Sequence, residues 1–231
     1  MINGLDLSHW DGTVVWPDVP PEYRFCLIKA TEGGYIPDHL AEQHYIGAQG
    51  RLRGCYHFWR YGAPASVQAR EFIARIRALE SVGGPMELPP VVDLEDCRAP
   101  KGSVIFPHIR AILATLELEF GKKPIIYTAK WWTDPWIGDC SWLREYPLWV
   151  ANYTYDTSRG PYYLPRGLTK WAFWQYSDKG AVPGIAENDE DLDVFNGTLE
   201  ELYIFAGLKA PMTLEQKVER LWIAHPELHG V

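Results

Sequence analysis

Eight short stretches of this chain read as strands, and in those that carry Asp6, Asp93 and Asp191 polar and apolar side chains alternate with a period of two, the mark of a strand that turns one face to a core. They fall at 4–10, 25–32, 54–59, 91–96, 123–128, 148–153, 171–176 and 191–196. Between the early ones the period lengthens to that of a helix. Residues 38–51 fit a short helix with Asp38 as cap, and 64–81 a longer one that starts on Pro64 and stops at Gly83-Gly84. In 103–120, Ile105, Ile109, Ile112, Leu113, Leu116 and Phe120 repeat near 3.6 residues, and Gly121 supplies the stop. The segment 131–146 is aromatic and punctuated by Gly and Pro, so loop with a short helix is expected there. Little helix fits between the fifth and eighth strands. The pattern predicts an α/β fold, an irregular TIM-like barrel whose later helices are lost.

Barrels of this kind gather functional side chains at the carboxyl ends of their strands. The polar residues at or near those ends are Asp6, Glu32, Tyr56, Asp93, Glu95, Tyr127, Asn152, Gln175 and Asp191. At the centre stands Pro89-Pro90-Val91-Val92-Asp93-Leu94-Glu95-Asp96. On a strand Asp93 and Glu95 share a face, with Cα atoms roughly 6.6 Å apart. Like charges that close raise one another's pKa, and burial raises both further. One carboxyl kept protonated beside one kept ionised is what glycosidic bond cleavage requires. Two acids on the wet edge of a strand would read the same way in isolation. A polar group at the end of nearly every strand is what favours a cleft.

Composition narrows the field. The 231 residues suit one barrel domain, and 47% are hydrophobic, ample for its core. A net charge of −8 argues against nucleic acid or an anionic membrane as partner. No run of 18 apolar residues predicts a membrane span. The 11 Trp and 13 Tyr are a high load, and sugar rings stack on such side chains, although core burial is their commoner use. Cys26, Cys55, Cys97 and Cys140 are widely spaced and form no CxxC pattern, while Cys26 and Cys55 sit in apolar runs that suit buried free thiols. No GxGxxG or P-loop occurs. No metal and no cofactor is therefore expected.

The motifs Gly4-Leu5-Asp6-Leu7-Ser8, Ile28-Lys29-Ala30-Thr31-Glu32-Gly33, Tyr56-His57-Phe58, Asp93-Leu94-Glu95, Ile126-Tyr127-Thr128, Leu148-Trp149-Val150-Ala151-Asn152-Tyr153, Trp174-Gln175-Tyr176-Ser177 and Asp191-Leu192-Asp193 follow one another in order. As a set they resemble the glycoside hydrolase family 25 lysozymes, the Chalaropsis-type muramidases, from Gly4 to about Leu202. The resemblance implies a flattened (β/α)5(β)3 barrel that cleaves the β-1,4 bond between N-acetylmuramic acid and N-acetylglucosamine of bacterial peptidoglycan. It would make Glu95 the general acid/base and have Asp93 orient the substrate acetamido group. Asp6 and Asp191 would complete the acidic floor. Lys29, Glu32, Tyr56, Tyr127, Trp149, Asn152 and Gln175 would bind substrate, although Lys29 and Glu32 would equally pair with each other. Asp193 stands where the family commonly has Asn, and Trp10 or Asp11 near where it often has Gln. His57 reads as a packed strand histidine and His9 as a surface one.

Two other readings compete. One is a catalytically silent glycan-binding or virion structural protein that kept the barrel; the other is a chitinase-like hydrolase. Retention of Asp6, Asp93, Glu95 and Asp191 together favours activity, since a silent protein has no need to hold like charges close.

The barrel is expected over 1–205 and a helical tail over 206–231. Within the tail, 213–224 is an amphipathic helix with a cap at Thr213 and apolar positions Leu214, Val218, Leu221 and Trp222. Such a short helix is marginal alone, so it should dock on the barrel, on another copy or on a virion partner. The N-terminus has no basic segment followed by an apolar one. That is expected of a phage lysin held in the host cytoplasm before it reaches the wall, of a virion-associated enzyme, or of a trimmed secreted enzyme.

Overall fold

The structure is a computed structural model and describes residues 1–186, 189–212 and 214–224. Its strands are β1 (Ile2–Leu7), β2 (Tyr23–Glu32), β3 (Ile36–Pro37), β4 (Leu52–Phe58), β5 (Val91–Asp93), β6 (Ile125–Ala129), β7 (Leu148–Ala151), β8 (Phe173–Gly180) and β9 (Glu190–Phe195). Its helices are α1 (Ala41–Gly47), α2 (Ala65–Gly83), α3 (Phe106–Phe120), α4 (Lys130–Trp136), α5 (Leu199–Phe205) and α6 (Leu214–Ala224). β1 pairs with both β2 and β9, so eight strands close into a barrel, with β3 as a short appendage on the end of β2. Seven of the eight run parallel; β9 runs antiparallel to β8 and β1. The start of β9 therefore lies at the same end of the barrel as the carboxyl ends of the others.

Period-two alternation builds two cores on the two faces of this closed sheet. Phe25, Leu27, Tyr56, Val91, Ile125, Tyr127, Trp149, Phe173 and Phe195 pack together inside the barrel. The alternate positions Cys26, Ile28, Cys55, Val92 and Ile126 pack outward against Phe72, Ile76 and Leu79 of α2 and Ile109, Ile112, Leu113 and Leu116 of α3. Gly4 is required where it stands, because a Cβ there would fall 2.2 Å from the Phe25 ring that fills the barrel. α3 ends as its sequence predicts, with Gly121 left-handed at φ +63. α1 is shorter than expected and starts after Leu40, because the Asp38 carboxylate is shared between Leu40 N–H and His9. Between β6 and β7 only the seven-residue α4 and one further turn remain, and no helix is found between β7 and β8 among the described residues.

α5 seals the end of the barrel opposite the β9 start. A Thr198–Glu201 capping box begins it, and Phe205 meets Phe173 and Phe195 at ring distances of 5.4 and 5.8 Å. Lys122 Nζ donates to the Ala206 carbonyl at 2.6 Å and fixes the chain as it leaves. α6 follows with Val218, Leu221 and Ile223 exposed. The predicted cap at Thr213 lies outside the described residues. No described helix is long and apolar enough to cross a membrane. The four cysteines are free, with Cys26, Cys55 and Cys140 buried.

Candidate active site

Most strands carry a polar or aromatic side chain in their inward-facing column toward the open end of the barrel. Above Phe25 and Leu27 comes Lys29; above Val91 comes Asp93; above Ile125 comes Tyr127; above Phe173 comes Gln175. Antiparallel β9 enters from the same end, so Asp191 and Asp193 precede Phe195 on the same face. Ten of these groups and their neighbours enclose a cleft of about 210 Å³: Asp6, Ser8, Lys29, Tyr56, Phe58, Asp93, Glu95, Tyr127, Gln175 and Asp191, with Trp10 on the rim and Trp149 on the floor. A larger hollow of about 550 Å³ lies against α6, but the acids on its lining are surface residues rather than buried ones.

Asp6 and Asp193 are both buried and close enough for Asp193 to raise the proton affinity of Asp6. Gln175 ties the first of them to the aromatic wall: its Nε2 donates to Asp6 Oδ2 at 2.8 Å, and its Oε1 accepts from Tyr127 at 2.8 Å and Tyr153 at 3.0 Å. Trp149 Nε1 donates to Asp193 Oδ1 at 2.7 Å. Burial, and next the neighbouring Asp193, raise Asp6 well above the usual carboxylate range. Burial, and next Asp6, push Asp191 up to about 9.

Asp93 ends β5, and Glu95 sits just beyond it. Their backbones are fixed from both sides, since Trp59 N–H donates to the Asp93 carbonyl at 3.0 Å and Leu94 N–H to Tyr127 O at 2.9 Å. Burial and the adjacent Glu95 raise Asp93 strongly. Burial also raises Glu95, but Lys29 and Arg60 pull it back. Asp93 Oδ1 is buried and has no partner in the protein. A buried acceptor without a donor is costly, so this oxygen is suited to a donor brought by a ligand.

Of the residues singled out from sequence, Asp6, Asp93, Glu95, Asp191, Lys29, Tyr56, Tyr127, Trp149 and Gln175 meet in the cleft. Two are placed elsewhere. Glu32 spends its carboxylate on Arg60 at 2.6 Å and Lys29 at 3.0 Å. Asn152 follows the last residue of β7 and is turned away from the cleft: its Oδ1 accepts from Tyr162 N–H at 2.7 Å and its carbonyl from Trp174 Nε1 at 2.8 Å. Sequence reasoning passed over Phe58, although alternation places it on the face of Tyr56. It also passed over Arg60, which bridges Glu32 and Asp96 and which no local pattern marks. His57 is buried between Thr31 and Gln68, as a packed strand histidine.

An eight-stranded β/α barrel whose open end gathers buried carboxylates and aromatic side chains is an arrangement that suits a hydrolase of the glycosidase class. The chain belongs to the glycosyl hydrolases family 25, which matches residues 5–185. It is 31% identical over 225 residues to lysozyme M1 of Streptomyces globisporus, covering 89% of this chain and 71% of that protein. It is 33% identical over 217 residues to the uncharacterized protein YegX of Escherichia coli K12, covering 90% and 75%. The bacterial lysozyme from Streptomyces coelicolor has the same fold, with a TM-score of 0.76 at 30% identity over 89% of this chain and 96% of that one.

Proposed function

We propose that the cleft cuts the β-1,4 bond between N-acetylmuramic acid and N-acetylglucosamine in bacterial peptidoglycan with net retention, using Glu95 as acid/base and Asp93 to assist the substrate acetamido group. The observation that carries this reading is the Asp93–Glu95 pair with its unpartnered Asp93 Oδ1. In the free protein burial and mutual repulsion disfavour two charges, so the pair holds a proton. An acetamido N–H donating to Asp93 Oδ1 stabilises the ionised form of Asp93 and leaves the proton on Glu95. Glu95 then protonates the glycosidic oxygen as the acetamido oxygen attacks the anomeric carbon from the opposite face. The leaving sugar departs and Glu95, now ionised, takes a proton from the water that opens the cyclic intermediate. Two inversions give retention without a protein nucleophile, a route known outside the common two-carboxylate schemes. Exposed Trp10 at the rim offers a face for a sugar ring, while Tyr56 and Trp149 line the cleft as largely buried walls.

NMR of the first-formed anomer, read before mutarotation, tests the stereochemistry, with mass spectrometry for trapped adducts. A β-product without adduct is expected. An α-product ends the retaining assignment, and an adduct on Asp6, Asp93 or Asp191 replaces acetamido attack by direct displacement. Product release from purified peptidoglycan but not from chitin oligomers separates this reading from a chitinase-like one.

A further inference from the structure

A second set of ligating side chains lies beside the cleft and takes no part in the reaction above. His9 follows β1 in a single turn, and Asp38 and His39 follow β3. One donor atom from each of the three lies within 4.8 Å of the other two. The Asp38 carboxylate is wholly buried and bonded at both oxygens: Oδ2 accepts from the His9 backbone N–H at 2.9 Å and meets His9 Nδ1 at 2.7 Å, while Oδ1 accepts one bond, from Leu40 N–H at 3.0 Å, and keeps a lone pair. These bonds fix the orientation of the His9 ring, which remains partly exposed. The exposed His39 ring lies 5.3 Å from it. An ion pair would need only His9 and Asp38. The second imidazole makes an open-sided set of two nitrogens and one carboxylate.

We propose that His9, Asp38 and His39 bind a divalent first-row transition ion, zinc by donor type, at the rim of the cleft. Two imidazoles and a carboxylate with one position left to water is a zinc donor set, whereas magnesium and calcium favour oxygen ligands. Donors around tetrahedral zinc sit about 3.3 Å apart, so the His9 Nδ1–Asp38 Oδ2 pair, 2.7 Å apart, would open slightly and give up its shared proton, while His39 would close by up to about 1.5 Å, which its exposed side chain permits. The buried, backbone-anchored Asp38 is the rigid member. The consequence reaches the cleft through aromatic contact. The His9 ring packs against Trp10 at 4.5 Å, and Trp10 lines the cleft rim at 78% exposure. An ion here would tie the loop after β1 to the segment after β3 and hold Trp10 in place. It would act on glycan binding and leave bond cleavage to the acids.

The test measures binding in the absence of glycan, so it stands or falls independently of the proposed reaction. Chelator-stripped full-length protein is titrated with zinc chloride by calorimetry, with cobalt(II) absorption as a readout of coordination geometry. One ion per chain is expected, with no saturable heat from magnesium or calcium. His39→Ala should weaken the zinc affinity at least about tenfold while leaving circular dichroism and metal-free melting unchanged, since that side chain is exposed. His9→Ala should also weaken zinc and abolish a zinc-dependent change in Trp fluorescence, with a lowered metal-free melting temperature because buried Asp38 loses its imidazole partner. Exposed Cys97 is present in every variant, so any zinc it takes cancels in the comparison. Absence of saturable binding, or equal affinity in wild type and His39→Ala, overturns the proposal.

Discussion

Two groups of carboxylates share the cleft, and their charge is managed by different means. Asp93 and Glu95 have cations close by: Lys29 and Arg60 both lower them, against burial. Asp6, Asp191 and Asp193 feel burial first and one another next, with only Gln175 and Trp149 as neutral donors. In the proposed mechanism the first group exchanges a proton, while the second would serve as a polar floor tied to the aromatic wall through Gln175 and Trp149. The difference teaches that an acidic residue in a cleft is defined less by its type than by which cations its neighbours bring.

The sharpest way to break this contrast is Glu95→Gln. Loss of the proton donor should lower turnover on peptidoglycan about 10²–10⁴-fold, with melting temperature unchanged or slightly raised. Near wild-type lysis by this variant would remove Glu95 from the chemistry. Asp93→Asn should lower kcat by a smaller factor, roughly 10²-fold, because the neutral amide no longer stabilises a polarised acetamido group. A variant whose KM rises while kcat holds would show that Asp93 only binds.

Lys29→Met probes the cation directly. Removing a positive charge makes deprotonation of Glu95 harder, so the basic limb of the pH–rate profile should move to higher pH. An unmoved limb would mean that Arg60 alone sets the balance.

The other group is tested through stability. Asp191 is raised to about 9 and Glu190 to about 8, both chiefly by burial. In the unfolded chain such groups titrate near 4, so between about pH 4 and pH 9 the folded state holds protons that the unfolded state has released. Stability is therefore greatest at the acid end of that window and is lost as pH rises through it. Asp191→Asn, which mimics the neutral acid, should gain on the order of 1 kcal/mol at pH 8 and little at pH 4. Thermal melts at the two pH values check this, and an equal gain at both would disprove the assigned cause.

The smallest effect is expected from the tail. We propose that the barrel is complete without α6, so a chain ending at Leu208 should cleave soluble glycan fragments at about the wild-type rate. Leu208 N–H donates to Tyr203 O at 2.8 Å, and stopping there preserves the end of α5. Size-exclusion chromatography and wall sedimentation would show whether α6 serves assembly or wall affinity. Loss of turnover in a well-folded truncation would place α6 in the catalytic unit.

Much of the site was legible because strand alternation is a local rule. Residues 25, 27 and 29 of β2, or 125 and 127 of β6, share a face whatever their partners, so the polar residue that follows two inward apolar ones must end up above the core. The same rule argues against Asn152 in the cleft, since it is out of phase with inward Trp149 and Ala151. Glu32 is different. Its position at the end of β2 was readable, but its capture by Arg60, 28 residues away, was not.

The chain's own pattern thus determined the strands, the long helices, the inward faces and the set of acids that an open barrel end would collect. Closure decided the rest. Gln175 reaches Asp6 across 169 residues of sequence, Trp149 reaches Asp193 across 44, and His9 reaches Asp38 across 29. The proton affinities of the acids depend on those meetings and on the depth of burial, neither of which a one-dimensional pattern contains. Periodicity fixes which way a side chain points; only the closed barrel fixes what it meets there.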